Sequence, residues 1–246
     1  MLPIIRQLTA DEKTIVGTTW ARRAELKAEV GLRFHALSNA IRAHGAPKGV
    51  IELCQRAAQD TQIHVDLCQR IATDFGVIAQ VEDVQRPGPL APMTLRIEHR
   101  ILYEMVAISC IDEALSGAVL GRVYQATKYP PIRLAAHRLF QDSIWHSRAG
   151  WGYLGAMQQQ HSVNWLAVHL IELLERTVQH EICRDDANPS RGSALPDYGE
   201  LTTIDRTSAF KEVVNTVILP GLESYGIDIE QGRVWIKAWV ETRESS

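Results

Sequence analysis

The sequence lacks three features that would assign it to a common functional class. No apolar run approaches the roughly 20 residues that a membrane-spanning helix needs. The N-terminus has no basic start followed by a long apolar stretch, so we expect no secretory signal. The formal net charge is −3 and no basic cluster is visible, which argues against nucleic acid as a partner. We therefore predict a cytoplasmic protein that binds neither membranes nor nucleic acid.

Cysteine is also scarce, with 4 residues in a chain of 246 and no close Cys-x-x-Cys spacing. Three of the four lie in helical patterns, where cysteine commonly serves as a small apolar core residue. We predict reduced thiols at Cys54, Cys68, Cys110 and Cys183.

What the chain does contain is apolar residues, 46% of the total, at alternating spacings of three and four. This periodicity predicts helices over most of one domain, 1–246. The predicted helices cover 18–44, 48–75, 94–127, 132–157, 164–182 and 204–225. The first four form a core bundle at about 18–157, followed by C-terminal helices at about 164–240. The polar stretch 184–200 is predicted as a surface connection, and 232–241 as a short strand or an irregular helix.

One phrase, Gln-Asp-hydroxyl-x-x-His, occurs twice, at 59–64 and at 141–146. The three-four spacing places Thr61 and His64 in the apolar seam of the second helix, and Ser143 and His146 in that of the fourth. Because each amphipathic helix must bury its apolar stripe, four long helices with short connections suggest an antiparallel bundle. The two phrases would then face the same interior.

Two glutamates are also predicted to face inward. The third helix places Glu113 in its seam. The series chosen for the first helix is Arg22, Glu25, Glu29, Leu32, Ala36 and Ala40. An ionised glutamate in a bundle core is costly unless it is paired, hydrogen-bonded or bound to a cation. Two glutamates and two histidines at one depth can satisfy one another or hold a metal.

These residues resemble the ferritin-like proteins of the di-iron carboxylate class. The stretch "AELKAEVGLRFHAL" looks like that family's first ligand helix with Glu29, and "CIDEAL" looks like its third with Glu113. "QDTQIHVDLC" and "QDSIWHSRAGW" resemble the two helices that supply His64 and His146. The resemblance implies an all-α fold, a ferritin-like antiparallel four-helix bundle with additional C-terminal helices.

In that family two helices each give one Glu, and two others each give a Glu-x-x-His pair. Here Thr61 and Ser143 stand where the glutamates of those pairs belong, so two of six protein ligands are missing.

The aspartates before them remain. The resemblance implies that each of these aspartates hydrogen-bonds the His of the opposite helix, Asp60 with His146 and Asp142 with His64, and so orients the imidazole.

Three functions stay open. The first, favoured by a narrow margin, is a metal-dependent oxidoreductase that tailors a small-molecule or carrier-tethered metabolite. Its single iron or manganese ion would be held by Glu29, His64, Glu113 and His146.

The second is a metal-free enzyme in which the Asp60 and Asp142 pairs act as general acid and base in an elimination, isomerisation or cyclisation. The third is a non-catalytic binding protein. The predicted substrate pocket contains Thr61, Ser143, Tyr124, Gly150 and Tyr153. A homodimer through an outer helix face is also expected.

Overall fold

The structure is a computed structural model that describes residues 8–85, 87–181 and 194–244. Every regular element in these ranges is helical. The α-helices of the described ranges are α1 (Ala10–Ala43), α2 (Lys48–Asp74), α3 (Ile97–Met105), α4 (Glu113–Ala126), α5 (Pro130–Gln158), α6 (Leu170–Glu181), α7 (Thr203–Val213), α8 (Leu219–Ser224) and α9 (Glu230–Glu244).

Helices α1 and α2 form an antiparallel hairpin. Helix α1 begins eight residues before the predicted start because Thr9 and Glu12 form a capping box, in which each side chain accepts from the other residue's backbone N–H. It ends at a turn in which Gly45 adopts φ +72°, a conformation that glycine tolerates without strain. Pro47 then precedes the first turn of α2.

Helices α3 and α4 form one continuous helical rod, as predicted. The π-helical segment Val106–Asp112 joins them. A π-helical segment is rare and is frequently found at functional sites. Helix α5 has Pro130 in its first turn, where a missing backbone N–H costs nothing. It packs against both α2 and α4, which completes a four-helix bundle.

The C-terminal part adds further helices to this bundle. Helices α7 and α8, joined by the π-helical segment Val214–Ile218, match the predicted sixth helix. The residues left open between strand and irregular helix are helical, in α9. Phe210 packs edge-on against Trp235 and Trp239, which are four residues apart and therefore lie on one face of α9. Much of the predicted surface connection at 184–200 lies outside the described residues.

The cysteines behave as the sequence predicts where the structure describes them. Cys54, Cys68 and Cys110 are free and buried, and burial raises the pKa of Cys54 and of Cys68 to about 12. Cys183 lies outside the described residues. Among the described helices, none has the length and apolar content needed to cross a membrane.

Candidate active site

The two repeated phrases face each other across the bundle. Thr61 and His64 of α2, like Ser143 and His146 of α5, are each at most 1% exposed. The two imidazole rings have their centroids 5.6 Å apart. The seams predicted for both helices therefore meet in one enclosed polar cluster.

Both crossed Asp–His pairs are present. His64 Nε2 hydrogen-bonds to Asp142 Oδ2 at 2.9 Å, and His146 Nε2 to Asp60 Oδ2 at 3.4 Å. Arg138 joins the two pairs from the outside, because its Nε lies 2.5 Å from Asp142 Oδ2 and its Nη2 lies 3.5 Å from Asp60 Oδ1. Each histidine is thus oriented by a carboxylate of the opposite helix.

Glu113, at the first residue of α4, reaches the same cluster from the other side. Its Oε1 accepts from Lys27 Nζ at 2.9 Å, and its Oε2 lies 3.5 Å from His146 Nδ1. Lys27 and Glu113 are 5% and 2% exposed. A lysine and a glutamate so deeply buried are rare unless they are paired, as they are here.

Lys27 was missed by the sequence reasoning, although a signal exists. Buried residues of α1 recur at spacings of three and four. Gly31 is included in this series because it lies close to Thr61 of α2, although it is only partly buried. The series is Val16, Trp20, Ala24, Lys27, Gly31, Phe34, Leu37 and Ile41. Lys27 is the one charged residue in this otherwise apolar or small series. A Cβ at Gly31 would lie 2.6 Å from Thr61 Oγ1, so glycine allows α1 to approach α2 beside Lys27.

The prediction that Glu29 joins this cluster is wrong. Its side chain is 34% exposed and pairs with Arg33 at 2.8 Å, one turn along α1. Leu32, from the same predicted seam, is 40% exposed. That seam was chosen because it contains carboxylates. The inward face of α1 is instead set by its larger apolar residues.

Three predicted pocket residues also lie elsewhere. Tyr124 packs on the His137 ring, with centroids 4.8 Å apart. Gly150 serves helix packing, since a Cβ there would lie 2.7 Å from Cys110 Sγ. Tyr153 is 2% exposed in the apolar core, where burial raises its pKa to about 12. None of the three lines either cavity described below.

The pKa values of the two histidines are shifted in opposite directions. Burial lowers the pKa of His64, and its hydrogen bond to Asp142 only partly offsets this. Burial also lowers the pKa of His146, but the interactions with Asp60 and Glu113 outweigh it, so the net pKa is raised. Of the two, His146 therefore holds its proton more firmly than His64.

The carboxylates are held ionised. Burial alone would raise the pKa of Glu113, but the Lys27 ammonium and His146 hold it well below its ordinary value. The hydrogen bond from His146 lowers the pKa of Asp60. Burial raises the pKa of Asp142, but His64 and Arg138 outweigh it and the net pKa is lowered. The cluster is therefore a nearly balanced set of positive and negative charges.

Two cavities of small-molecule size reach this cluster from opposite sides, besides a crevice of about 110 Å³ that is lined by Lys27, Glu29 and Glu113. The α1/α2 cavity, of about 540 Å³, is lined at its inner end by Lys27 and Thr61. The α4/α5/α7 cavity, of about 570 Å³, is lined at its inner end by Glu113 and Ser143. Both volumes lie in the range typical of small-molecule sites. The imidazoles of His64 and His146 line neither cavity and sit behind these four residues.

The residues present do not fit the metal that the family resemblance implies. Glu29 is paired with Arg33, and hydroxyls at Thr61 and Ser143 replace two carboxylates. The remaining central carboxylate, Glu113, is neutralised by the Lys27 ammonium. Within the described part of the chain, no three His, Cys, Asp or Glu residues are arranged to hold an ion. The predicted metal set of Glu29, His64, Glu113 and His146 is therefore corrected to a charge cluster built around Lys27.

No protein-family model matches the chain, and no curated protein matches its sequence. The chain is similar to a solved structure described as protein 19 with aldehyde deformylating oxidase activity, from Synechococcus. The TM-score is 0.57, the sequences are 18% identical, and the match covers 92% of each chain. At this identity the likeness shows the fold. The protein has an all-α, ferritin-like helical bundle fold, as predicted.

Proposed function

We propose that the protein is an enzyme that transfers protons to and from a small-molecule substrate at the Lys27–Glu113 pair. The observation that carries the proposal is the ammonium of Lys27, 2.9 Å from Glu113 Oε1, where a ferritin-like site would gather carboxylates around metal. Paired groups whose pKa values are pushed apart, as in His64 and His146, are typical of acid–base sites.

The geometry favours a division of roles. Glu113 lines the α4/α5/α7 cavity and would touch the substrate, whereas Lys27 would hold the Glu113 carboxylate from the side of the α1/α2 cavity. His146, oriented by Asp60, would hold a proton at Nδ1, 3.5 Å from Glu113 Oε2. Glu113 would give the substrate the proton it receives from His146, and the same pair would accept the proton that the substrate releases.

The site would then return to its starting state with no electron transferred, as an isomerisation, cyclisation or elimination of water requires. Meanwhile the Lys27 ammonium would stabilise the negative charge of Glu113 each time this carboxylate gives up its proton. His64, with Asp142, would act as a positioning residue behind Thr61. Cytoplasmic location and a homodimer remain predictions.

A metal-dependent oxidoreductase acting on a small-molecule or carrier-tethered metabolite is the second candidate. The fold of the aldehyde deformylating oxidase favours it, because that bundle supports oxidative chemistry in the similar protein. Against it stands the donor set, in which an ammonium and two hydroxyls occupy positions that an iron or manganese site needs for carboxylates.

One experiment separates the two candidates. The wild-type protein and the Glu113→Gln variant are incubated without oxygen with a small-molecule extract of the producing cells, and the mixtures are compared by mass spectrometry. We expect the wild type alone to convert a compound to one of equal mass, or of mass lower by one water. A conversion that needs oxygen and added iron, and yields an oxidised product, would overturn the proposal in favour of the oxidoreductase.

A further inference from the structure

The two cavities differ in what their inner ends offer a ligand. In the α1/α2 cavity, Thr61 Oγ1 donates to Ala58 O at 2.8 Å and Lys27 donates to Glu113. In the α4/α5/α7 cavity, Ser143 Oγ is buried without a complete hydrogen bond, and Glu113 Oε2 has only the 3.5 Å contact with His146 Nδ1. Ser143 lies near enough to Glu113 to help lower its pKa, yet the geometry of a complete bond is absent.

Unsatisfied buried polar atoms are uncommon, because leaving one unpaired destabilises the fold. A buried hydroxyl without a partner, beside a carboxylate oxygen with only one long contact, is the pattern expected where a ligand's head group completes the bonding. The α1/α2 cavity offers no such atoms at its inner end. This difference selects the α4/α5/α7 cavity as the substrate site.

The walls of the selected cavity are mostly apolar. Small residues of α4 form one wall, and larger apolar residues of α5, α7 and the following π-helical segment form the others. The principal members are Gly117, Gly121, Phe140, Ile144, Val213 and Val217. A Cβ at Gly121 would lie 3.5 Å from the Phe140 ring, an ordinary contact, so a longer side chain there would extend into the cavity.

The charges around the inner end favour an uncharged head group. Glu113 is paired with Lys27, and Asp60 with Arg138 and His146, so neither a cation nor an anion would find an unpaired opposite charge. The rim is balanced as well, because Arg122 Nη2 pairs with Glu212 Oε2 at 2.8 Å. The Glu113 carboxylate can only accept a hydrogen bond, whereas the Ser143 hydroxyl can also donate one.

We infer that the α4/α5/α7 cavity binds a hydrocarbon-rich small molecule whose single uncharged head group, such as a primary alcohol, bonds Glu113 Oε2 and Ser143 Oγ. This inference rests on the proposed function, since it names the substrate class of that site. It places the hydrocarbon body along the α4 glycines and the head beside the proton that His146 and Glu113 share.

Binding of straight-chain 1-alkanols, from butanol to decanol, to the full-length protein tests the inference by calorimetry. We expect the affinity to rise about fourfold with each added CH₂ until the cavity is filled, from about 0.8 kcal/mol per buried CH₂. Carboxylates and amines of equal chain length should bind at least tenfold more weakly. Affinity independent of chain length, or tighter binding of the charged series, would overturn the inference.

A pair of glycine variants locates the site. Gly121→Leu fills the cavity and should weaken octanol binding at least tenfold, and it should not harm folding because leucine favours helix over glycine. Gly49→Leu is the matched control, since Gly49 of α2 has no atom within 4 Å of its Cβ position and should leave the affinity unchanged. Equal affinities in the two variants would place the alcohol elsewhere and overturn the inference.

Ser143→Ala tests the head group without changing the cavity walls. It should weaken octanol several-fold more than it weakens an alkane of similar length, and equal weakening of both would contradict the assigned head-group contact. Failure of the proposed function is seen separately, in the extract experiment. If the anaerobic conversion persists but alkanols do not bind, only the substrate class is wrong. If alkanols bind in the cavity but no proton-transfer product forms, the reaction is wrong.

Discussion

Lys27 of α1 and Glu113 of α4 form a buried ion pair, with Nζ 2.9 Å from Oε1 and side chains 6% and 2% exposed. Burying two charges carries a large desolvation cost, which their mutual attraction repays only when the remaining polar atoms are also satisfied. His146 and Ser143 border the free side of Glu113. The pair thus joins two helices that are distant in sequence and ties stability to the site.

Lys27→Met should destabilise the fold by about 3–5 kcal/mol, because it leaves the Glu113 carboxylate buried without its cation. The double variant Lys27→Met with Glu113→Gln should recover part of that loss, since no uncompensated charge remains. Urea denaturation at pH 7 measures both.

Lys48→Met is the control, because Lys48 is 90% exposed and its pair with Glu52 lies on the surface. It should change the free energy of unfolding by less than about 0.5 kcal/mol. A loss of under about 1 kcal/mol in Lys27→Met would show that the central pair is not what the geometry indicates.

The two histidines should respond oppositely to pH. The pKa of His146 is raised in the folded state, so His146 stabilises the fold below the ordinary histidine value of about 6.5 and loses that effect as pH rises through the folded pKa. The pKa of His64 is lowered, so His64 opposes folding increasingly as pH falls below about 6.5.

Denaturation of His146→Gln and His64→Gln at pH 8 and at pH 5 measures this difference. On going from pH 8 to pH 5, His146→Gln should lose more stability than the wild type, and His64→Gln should lose less. If both variants lost more stability than the wild type between pH 8 and pH 5, or both lost less, the opposite pKa shifts would be contradicted.

Restoring a metal site should require the lysine to be replaced as well as the two hydroxyls. Thr61→Glu with Ser143→Glu should bind less than one equivalent of iron, because the Lys27 ammonium still neutralises Glu113. Adding Lys27→Glu should raise the iron content toward two equivalents per chain, measured by elemental analysis after anaerobic iron loading. Circular dichroism checks that both variants are folded. Equal iron contents in the two would mean that Lys27 does not control the site.

Arg138 should help to hold the pKa of Asp142 low from the outer surface. Arg138→Gln should raise the pKa of Asp142 toward its ordinary value, followed by carboxyl ¹³C NMR, because the guanidinium helps to hold this carboxyl ionised. The loss of stability should be about 1 kcal/mol or less, since Arg138 is 44% exposed and water screens the interaction. Arg133→Gln is the control, because Arg133 is on the same helix as Arg138 but lies over the ring of Tyr124, on α4. An unchanged Asp142 pKa in Arg138→Gln would contradict the contact.

The bundle and half of the site could be predicted from the sequence. The seams of α2 and α5 combine a regular apolar series with a repeated polar phrase, so the positions of His64 and His146 followed directly. The seam of α1 was assigned wrongly because Glu29 matched the expected ligand type. The apolar residues Trp20 and Phe34 place Lys27 inward instead, since burial of large apolar area outweighs the preference of one carboxylate.

Other features had no signal in a single sequence. A π-helical segment arises from a shift in backbone hydrogen bonds, and the residues of Val106–Asp112 fit an ordinary α-helix equally well. The cavities depend on how far apart whole helices lie. Gly150 looked like a pocket residue in its helical series, but its role is fixed by the approach of Cys110 from another helix.

The segment Val106–Asp112 gives two neighbouring acids different partners. Asp112 accepts from Arg176 Nη2 at 2.7 Å and from Thr177 Oγ1 at 2.6 Å, both on α6, whereas Glu113 faces Lys27. One residue corresponds to about 100° of helix rotation, so deleting a single residue here, with α3 held in place, would swing Glu113 out of the centre. The position of the reactive acid is therefore as vulnerable to a change in chain length upstream as to its own replacement.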